Sequence, residues 1–393
     1  MKTRITGYVL IAILLIVMLL GGGNVLIRYY AESHDSLPPS TGENTTILST
    51  YSPDATTEST TLSTQPTKET PGTLPGATET TLPSATETEP TTTPPTTAPT
   101  EPVTQPTEPS TTGPVRPLPQ LSAKAAFVYD ARTGEYLFLQ GDATAPLYPA
   151  SITKLFTTYV ALQYLPLDTV ITVGQEVELA PWDSSLAGFC QGDVLTVEDV
   201  TYAAMLISGC DASYVLAAAA GRAILNAPQA SVADAIAAFM EQVNRMAADF
   251  GMVNTHFVTP DGNHDDNHTL SMQACVEIAR LCMENEDLAH IAGTYRKTIS
   301  YTNVSGAAKQ KELRNTNENM NPDNDRLYLE NTLGLKTGYT AKAGYCFLGT
   351  YQVDGGYLVV GVFGCPDPNG RFQDTVALVN YFMECLPDWN RKK

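Results

Sequence analysis

The sequence predicts an α+β fold, in which an antiparallel sheet is flanked by helices and accompanied by a mainly helical subdomain. Two pairs of apolar strands, one near each end of residues 121–393, predict the sheet. The stretch between them is rich in alanine and in apolar residues at helical spacing. The strands are therefore expected to meet around an inserted group of helices.

Two hairpins supply the predicted strands. In the first, Ala125–Asp130 and Glu135–Gln140 are apolar runs joined by Ala-Arg-Thr-Gly. In the second, 345–353 and 357–364 flank Asp354-Gly355-Gly356, whose glycines tolerate the positive φ of a tight turn.

Six segments have the apolar period of a helix. Five lie between the hairpins and the sixth follows the second hairpin: 151–164, 197–206, 211–225, 231–250, 271–284 and 371–386. Ser208-Gly209 and Asp211 separate the second from the third, so we expect Gly209 to end one helix and Asp211 to cap the next.

Residues 1–32 contain an almost uncharged stretch, 8–27, of the length that crosses a bilayer. Lys2 and Arg4 precede it, which predicts a cytoplasmic N-terminus and an extracytoplasmic remainder. The segment is therefore expected to anchor the protein in the cell membrane. Gly21–Gly23 leave open a cleaved signal peptide and a secreted protein.

Residues 33–120 are dominated by Thr, Pro, Ser and Glu and have no apolar periodicity. Such a composition cannot bury enough surface to offset the entropy of ordering, which predicts a disordered stalk. A wall-spanning or O-glycosylated spacer and an inert linker are equally consistent with it. Residues 121–393 are long enough for one domain with a sizeable core.

The net charge of −19 and the pI near 4.6 argue against a nucleic-acid partner. All seven cysteines lie in the predicted domain, without a C-x-x-C pair, and their odd number leaves at least one unpaired. Cys275 and Cys282 share a predicted helix face, which favours buried thiols, although a disulfide outside the cell stays open.

The segment His264-Asp-Asp-Asn-His268 is interpreted as a solvated loop, because adjacent polar residues need not converge as ligands do. His256 is interpreted as structural. The sequence therefore predicts neither a metal nor a cofactor.

Ser151-Ile-Thr-Lys154 carries the first candidate chemistry. The apolar stripe that follows predicts that Ser151 begins a buried helix and that Lys154 projects from the same face. A serine hydroxyl is a poor nucleophile until a neighbouring base removes its proton, and a desolvated lysine can be that base.

Ser208-Gly-Cys210 and Lys336-Thr-Gly338 are the other two motifs. A hydroxyl on the rigid corner at Ser208 could relay a proton between Lys154 and a leaving group. On a strand beside a cleft, Gly338 would let a substrate backbone approach, and Lys336 would supply charge for a carboxylate.

The three motifs occur in the order of the S-x-x-K, S-D-N and K-T-G set. Longer strings accompany them: Tyr148-Pro-Ala-Ser-Ile-Thr-Lys154, His256-Phe-Val-Thr-Pro-Asp-Gly262, Leu335-Lys-Thr-Gly-Tyr-Thr340, Ala343-Gly-Tyr345 and Arg371-Phe-Gln-Asp374. On these residues the chain, from about 123 to about 382, resembles the D-alanyl-D-alanine carboxypeptidases. These are low-molecular-mass penicillin-binding proteins that share a fold with class A β-lactamases.

The resemblance implies that Ser151 forms an acyl-enzyme, that Lys154 is the base and that Ser208 relays the proton. It also implies binding of the substrate's carboxylate by Lys336 and Thr337, with Arg371 adding charge. The N–H groups of Ser151 and Tyr339 would form the oxyanion hole. The implied partners are peptidoglycan stem peptides, with β-lactams as inhibitors.

Cys210 departs from the resemblance, because the second motif of that family usually ends in asparagine. A thiol cannot replace an amide that both donates and accepts hydrogen bonds, so we expect an altered or slower enzyme. Two alternatives stay open: a catalytically silent protein that binds penicillin or muropeptides, and a β-lactamase. A class A β-lactamase needs a glutamate upstream of the third motif, and the nearby candidates are Glu312 and Glu318.

Overall fold

The computed structural model describes residues 117–385. The predicted anchor at 8–27 lies outside them, as does nearly all of the predicted stalk. Within 117–385, no helix is both long and apolar enough to cross a bilayer.

The main sheet has five antiparallel strands in the order β2-β1-β9-β8-β7. The strands are β1 (Ala125–Asp130), β2 (Glu135–Gln140), β7 (Thr332–Thr340), β8 (Gly344–Val353) and β9 (Gly356–Cys365). The predicted hairpins are β1–β2 and β8–β9. Because β1 pairs with β9, the two ends of the domain close into one sheet.

Seven α-helices occur in the described part of the chain: α1 (Thr153–Leu162), α2 (Val197–Leu206), α3 (Cys210–Ile224), α4 (Val232–Asp249), α5 (Met272–Glu284), α6 (Glu286–Ala292) and α7 (Gly370–Cys385). The six predicted helices are α1 to α5 and α7, and their ends differ from the predicted ends by a few residues. The predicted α+β fold is confirmed.

Helices cover both faces of the main sheet, because its strands are apolar on both sides. Phe127 and Val359 face a large core shared with α1 to α6, whereas Val128 and Val360 face a second core formed with α7. Cys275 and Cys282 are buried thiols in the large core, as the helical spacing predicted.

A second antiparallel sheet, β3-β4-β5-β6, was not predicted. It contains β3 (Val170–Thr172), β4 (Val194–Thr196), β5 (Arg296–Thr302) and β6 (Ala308–Arg314). Two of its strands have only three residues, too few to show a period. The other two are mostly exposed and bury little beyond Ile299 and Leu313, so they lack a strong apolar signal.

Candidate active site

Ser151 lies in a 3-10 turn, Ala150–Ile152, that leads into α1. Ala150 has a left-handed backbone with φ of 50°, and a Cβ on Gly262 would lie only 2.0 Å from its carbonyl oxygen. β7 also packs against the turn, where a Cβ on Gly338 would lie 3.2 Å from Ser151 N. Two glycines therefore let the backbone close around this turn and fix the position of the serine.

Lys154 is fully buried one helical turn after the serine. Its Nζ lies 2.9 Å from Ser151 Oγ, 2.6 Å from the carbonyl oxygen of Asp261 and 3.3 Å from Cys210 Sγ. A neutral amine has two N–H donors and one lone pair, so it can donate to Asp261 and Cys210 and accept the hydroxyl proton of Ser151. This is the arrangement of a nucleophile beside its base.

Ser208 lies between α2 and α3 in a left-handed conformation, with φ of 61°. It is buried at the wall of the same cleft as Ser151. The contacts described for Lys154 Nζ do not include the Ser208 hydroxyl. The proton relay through Ser208 therefore stays a prediction.

The expected caps of this corner are wrong. Gly209 does not end α2 but is the N-cap of α3, and its φ is −57°, so the strained position falls on Ser208 instead. Asp211 lies inside α3, where its buried carboxylate accepts the backbone N–H groups of Ala187 and Gly188. These partners lie more than twenty residues away, so local cap rules could not reveal them.

Cys210 is buried against the amine of Lys154. Burial raises the pKa of its thiol, the nearby Asp261 carboxylate adds to this, and Lys154 partly opposes it. The thiol is therefore protonated at neutral pH. In that form it accepts weakly from Lys154 and has a single weak S–H donor.

β7 forms the opposite wall with Thr337, Gly338 and Tyr339. The hydroxyl of Thr337 lies 2.7 Å from that of Thr316, which also lines the cleft and was not predicted as a site residue. Thr316 follows the unpredicted strand β6 and has no motif of its own. The hydrogen bond between the two hydroxyls restricts the rotation of the Thr337 hydroxyl.

Lys336 is almost fully buried beneath this wall and donates to the carbonyl oxygen of Thr337 at 3.2 Å. Burial lowers the pKa of its amine well below the usual 10.5, and the positive charges of Lys154 and Arg371 lower it further, against a small opposing effect of Cys210. An anion at this end of the cleft would meet the ammonium of Lys336 and the guanidinium of Arg371.

Arg371 connects the start of α7 to the site. Its Nη1 donates to the carbonyl oxygen of Gly338 at 3.1 Å, and its guanidinium lies over the ring of Tyr345. Tyr345 in turn stacks on Tyr339, with ring centroids 4.3 Å apart. Arg371 therefore both lines the cleft and holds β7 in place through Gly338.

The segment around Asp261 belongs to one of the strings that carry the resemblance, but no role in the site was predicted for it. Asp261 is buried, lines the cleft and supplies the carbonyl that holds Lys154. The loop after Asp261 was expected to be solvated, but His268 within it is buried. Its Nδ1 accepts from backbone N–H groups, so Nε2 donates to Thr153 Oγ1, and burial lowers the pKa of the ring to about 4. His268 is thus a neutral structural residue behind α1.

The cleft has a volume of about 260 Å³. Seven of the predicted site residues line it: Ser151, Ser208, Cys210, Thr337, Gly338, Tyr339 and Arg371. The two predicted lysines, Lys154 and Lys336, lie buried beneath it. Residues that the motifs did not indicate complete the walls: Asp183, Ser184, Ser185, Asp261, Gly262, Asn263, Thr316 and Thr340.

Several curated relatives resemble this chain. The D-alanyl-D-alanine carboxypeptidase of Streptomyces sp. (strain K15) is 26% identical over 269 residues, which cover 67% of this chain and 88% of the relative. The D-alanyl-D-alanine carboxypeptidase DacF of Bacillus subtilis is 24% identical over 263 residues, 66% of this chain and 61% of the relative. The chain thus spans less than two thirds of the length of the Bacillus relative.

Solved structures of other proteins share the fold. The Streptomyces K15 DD-transpeptidase matches with a TM-score of 0.62 and 24% identity, over 68% of this chain and 100% of that one. Penicillin-binding protein D2 of Listeria monocytogenes, in its ampicillin-bound form, matches with a TM-score of 0.52 and 25% identity, over 67% of this chain and 98% of that one.

A family model described as D-alanyl-D-alanine carboxypeptidase matches residues 110–366, which contain all three motifs and every wall of the cleft except Arg371. The match covers more than half of the chain. The resemblance of the sequence motifs to this family is confirmed, and the chain belongs to the D-alanyl-D-alanine carboxypeptidase family.

Proposed function

We propose that the protein is a serine-type D-Ala-D-Ala carboxypeptidase that removes the terminal D-alanine of peptidoglycan stem peptides. The observation that carries the proposal is the 2.9 Å contact between the buried amine of Lys154 and the hydroxyl of Ser151. The relatives named above supply the substrate class.

In the first step, Ser151 Oγ attacks the carbonyl carbon between the two D-alanines while Lys154 accepts its proton. The carbonyl becomes an oxyanion, which the N–H groups of Ser151 and Tyr339 stabilise. As the tetrahedral intermediate collapses, the C–N bond breaks, and the proton passes from Lys154 through Ser208 to the amine of the departing D-alanine.

In the second step, water attacks the carbonyl carbon of the ester and Lys154, which has given up its proton, accepts one from the water. The bond between the carbonyl carbon and Ser151 Oγ then breaks, Lys154 returns the proton to Ser151 Oγ, and the shortened peptide leaves with a terminal carboxyl group. During the first step, the carboxylate of the terminal D-alanine would lie near Thr337 and Arg371, above the amine of Lys336. Charge-assisted hydrogen bonds of that kind fix a substrate's end more strongly than neutral ones.

The position of the glutamates argues against a β-lactamase. Glu312 lies on β6, where it pairs with Arg296, and Glu318 pairs with Arg314. Neither lines the cleft. Slow release of a bound β-lactam is therefore expected, which agrees with a penicillin-binding protein.

The proposal is tested by incubating the full-length protein with a pentapeptide that ends in D-Ala-D-Ala and following it by mass spectrometry. The expected product is one D-alanine shorter. A protein that binds penicillin covalently yet leaves the peptide intact would instead be the catalytically silent binder.

The lowered pKa of Lys336 leads to a prediction of how substrate affinity depends on pH. The carboxylate binds the ammonium form, which is fully present below the lowered pKa and is lost as pH rises through it. KM is therefore expected to rise at least about tenfold as pH increases through this lowered pKa, since a charged hydrogen bond contributes roughly 1.5–3 kcal/mol. The same peptide with a C-terminal amide is the control. Parallel curves for acid and amide would contradict this role of Lys336.

Because a thiol forms weaker hydrogen bonds than an amide, we expect the enzyme with Cys210 to be slower than one with asparagine at this position. In Cys210→Asn, an amide could accept from Lys154 and also donate to the substrate, so D-alanine release is expected to rise about tenfold, the effect of roughly 1.4 kcal/mol. Cys190→Asn, at an exposed thiol, is the matched control. A large fall in the Cys210→Asn rate would instead give the thiol a role of its own.

We also propose that residues 8–27 hold the protein in the cell membrane with its catalytic domain outside. The support is the apolar length of this segment and the positive charges before it. A membrane anchor would keep the domain near its wall substrate.

A further inference from the structure

The segment from Pro181 to Ala187 forms a firmly held edge of the cleft. Ser184 closes a turn onto the carbonyl oxygen of Pro181 through both its N–H and its hydroxyl. Cys210 N donates to the carbonyl oxygen of Ser185, and Asp211 accepts the N–H of Ala187. The segment is thus fixed to the start of α3, beside the catalytic lysine.

Asp183 lies on this edge of the cleft. Its side chain is exposed, lines the cleft and has no hydrogen bond or ion pair to any of residues 117–385. The other acidic residue at the cleft, Asp261, is buried and held by the backbone of Asn263. Asp183 is therefore the carboxylate in the described cleft that can meet a solute cation.

The cations of the site lie elsewhere. Lys336 and Arg371 belong to the side formed by β7 and α7, whereas Asp183 belongs to the segment before α3. The cleft therefore has a positive end suited to a carboxylate and a separate negative position. A substrate with an anionic terminus and a cationic side chain would match both.

The neighbouring Trp182 adds an apolar surface. It is 83% exposed, the most exposed large apolar side chain among residues 117–385. An indole face attracts an ammonium group and packs against methylenes. Trp182 does not line the cleft itself, so it would contact only a side chain that extends past Asp183 to the surface.

We propose that Asp183 binds the side-chain ammonium of a diamino-acid residue that precedes D-Ala-D-Ala in the substrate. This inference rests on the proposed function, because the acyl donor must lie in the cleft with its carboxylate toward Lys336. Asp183 is a specificity-determining residue and takes no part in bond breaking.

The test compares two tripeptides, Nα-acetyl-lysyl-D-Ala-D-Ala and its Nα,Nε-diacetyl form, which differ in one positive charge. Affinities are measured by calorimetry on the full chain carrying Ser151→Ala, so the result does not depend on hydrolysis. The free amine is expected to bind about fivefold more tightly, the effect of roughly 1 kcal/mol from an exposed ion pair. Salt should reduce the difference.

Adding Asp183→Asn should make the two affinities equal, and adding Asp183→Lys should reverse the preference. Asp168→Asn, which removes an exposed carboxylate outside the cleft, is the control and should keep the preference. Equal affinities before Asp183 is changed would overturn the inference, and so would a preference that survives Asp183→Asn. Failure of the proposed hydrolysis would appear separately, as an intact peptide with the wild-type protein.

Discussion

Replacing Ser151 with alanine is expected to abolish covalent labelling by a fluorescent penicillin and to lower D-alanine release by at least about 10⁴-fold. Removal of the nucleophile of a serine enzyme leaves only the rate enhancement from binding and the oxyanion hole, and losses near 10⁶-fold are known for such changes. The fold should survive. Lys154 keeps its contacts with Asp261 and Cys210, so the free energy of unfolding should fall by no more than about 1–2 kcal/mol.

Intact-mass measurement after addition of a β-lactam gives the sharpest result for Ser151→Ala. The wild-type protein should gain the mass of one inhibitor, and the variant should gain none. Ser305→Ala removes a hydroxyl from the turn between β5 and β6, outside the cleft, and should label like the wild type. Equal labelling of Ser151→Ala would move the nucleophile to another residue.

The parts of this structure that the sequence predicted depend on short-range order. Ser151 and Lys154 are three residues apart, so one helical turn suffices to bring amine and hydroxyl together. The hairpin of β1 and β2 closes through a four-residue turn, and its strands have the predicted ends. In both cases the contact follows from local geometry.

The parts that the sequence did not predict depend on contacts between residues that are distant from each other in the sequence. Asp261 lies 107 residues from Lys154 and contributes a backbone carbonyl, which no side-chain pattern can reveal. β4 meets β5 only at Val194 and Thr302. The sequence also did not predict that Lys336 is buried, because a lysine side chain usually reaches solvent. The motifs therefore indicated the reacting groups but not the surroundings that tune them.

Asp183 shows why motif-based prediction of specificity falls short. The Ser-x-x-Lys and Lys-Thr-Gly strings concern the bond that breaks, and they place a hydroxyl, an amine and a cation. Asp183 lies in no motif, and its position at the cleft follows from hydrogen bonds between its loop and α3. Recognition of the rest of a substrate depends on such loops, whose sequence is free to vary without loss of chemistry.

The second large effect is expected for Lys154→Met, which should leave Ser151 in place but slow its acylation by about 10³-fold to 10⁵-fold. Methionine is unbranched and similar in length, so it can fill the buried space of the lysine while it removes the base. The carbonyl of Asp261 loses its donor, at a cost of about 1–3 kcal/mol in the free energy of unfolding. The measurement is the rate of penicillin acylation, with Lys309→Met, an exposed lysine on β6, as the matched control.

The combination of the two variants separates catalysis by Lys154 from simple damage to the site. If Lys154 acts only by activating Ser151, the double variant should be no slower than Ser151→Ala alone, because residues that act as one unit have non-additive effects. Residual acylation of Lys154→Met should increase with pH, since the serine must then lose its proton without help. Acylation at nearly the wild-type rate and without such a rise would show that another group takes the proton. Lys336 would then be the next candidate, because it is the other buried amine beneath the described cleft and its pKa is already lowered by burial and by its cationic neighbours.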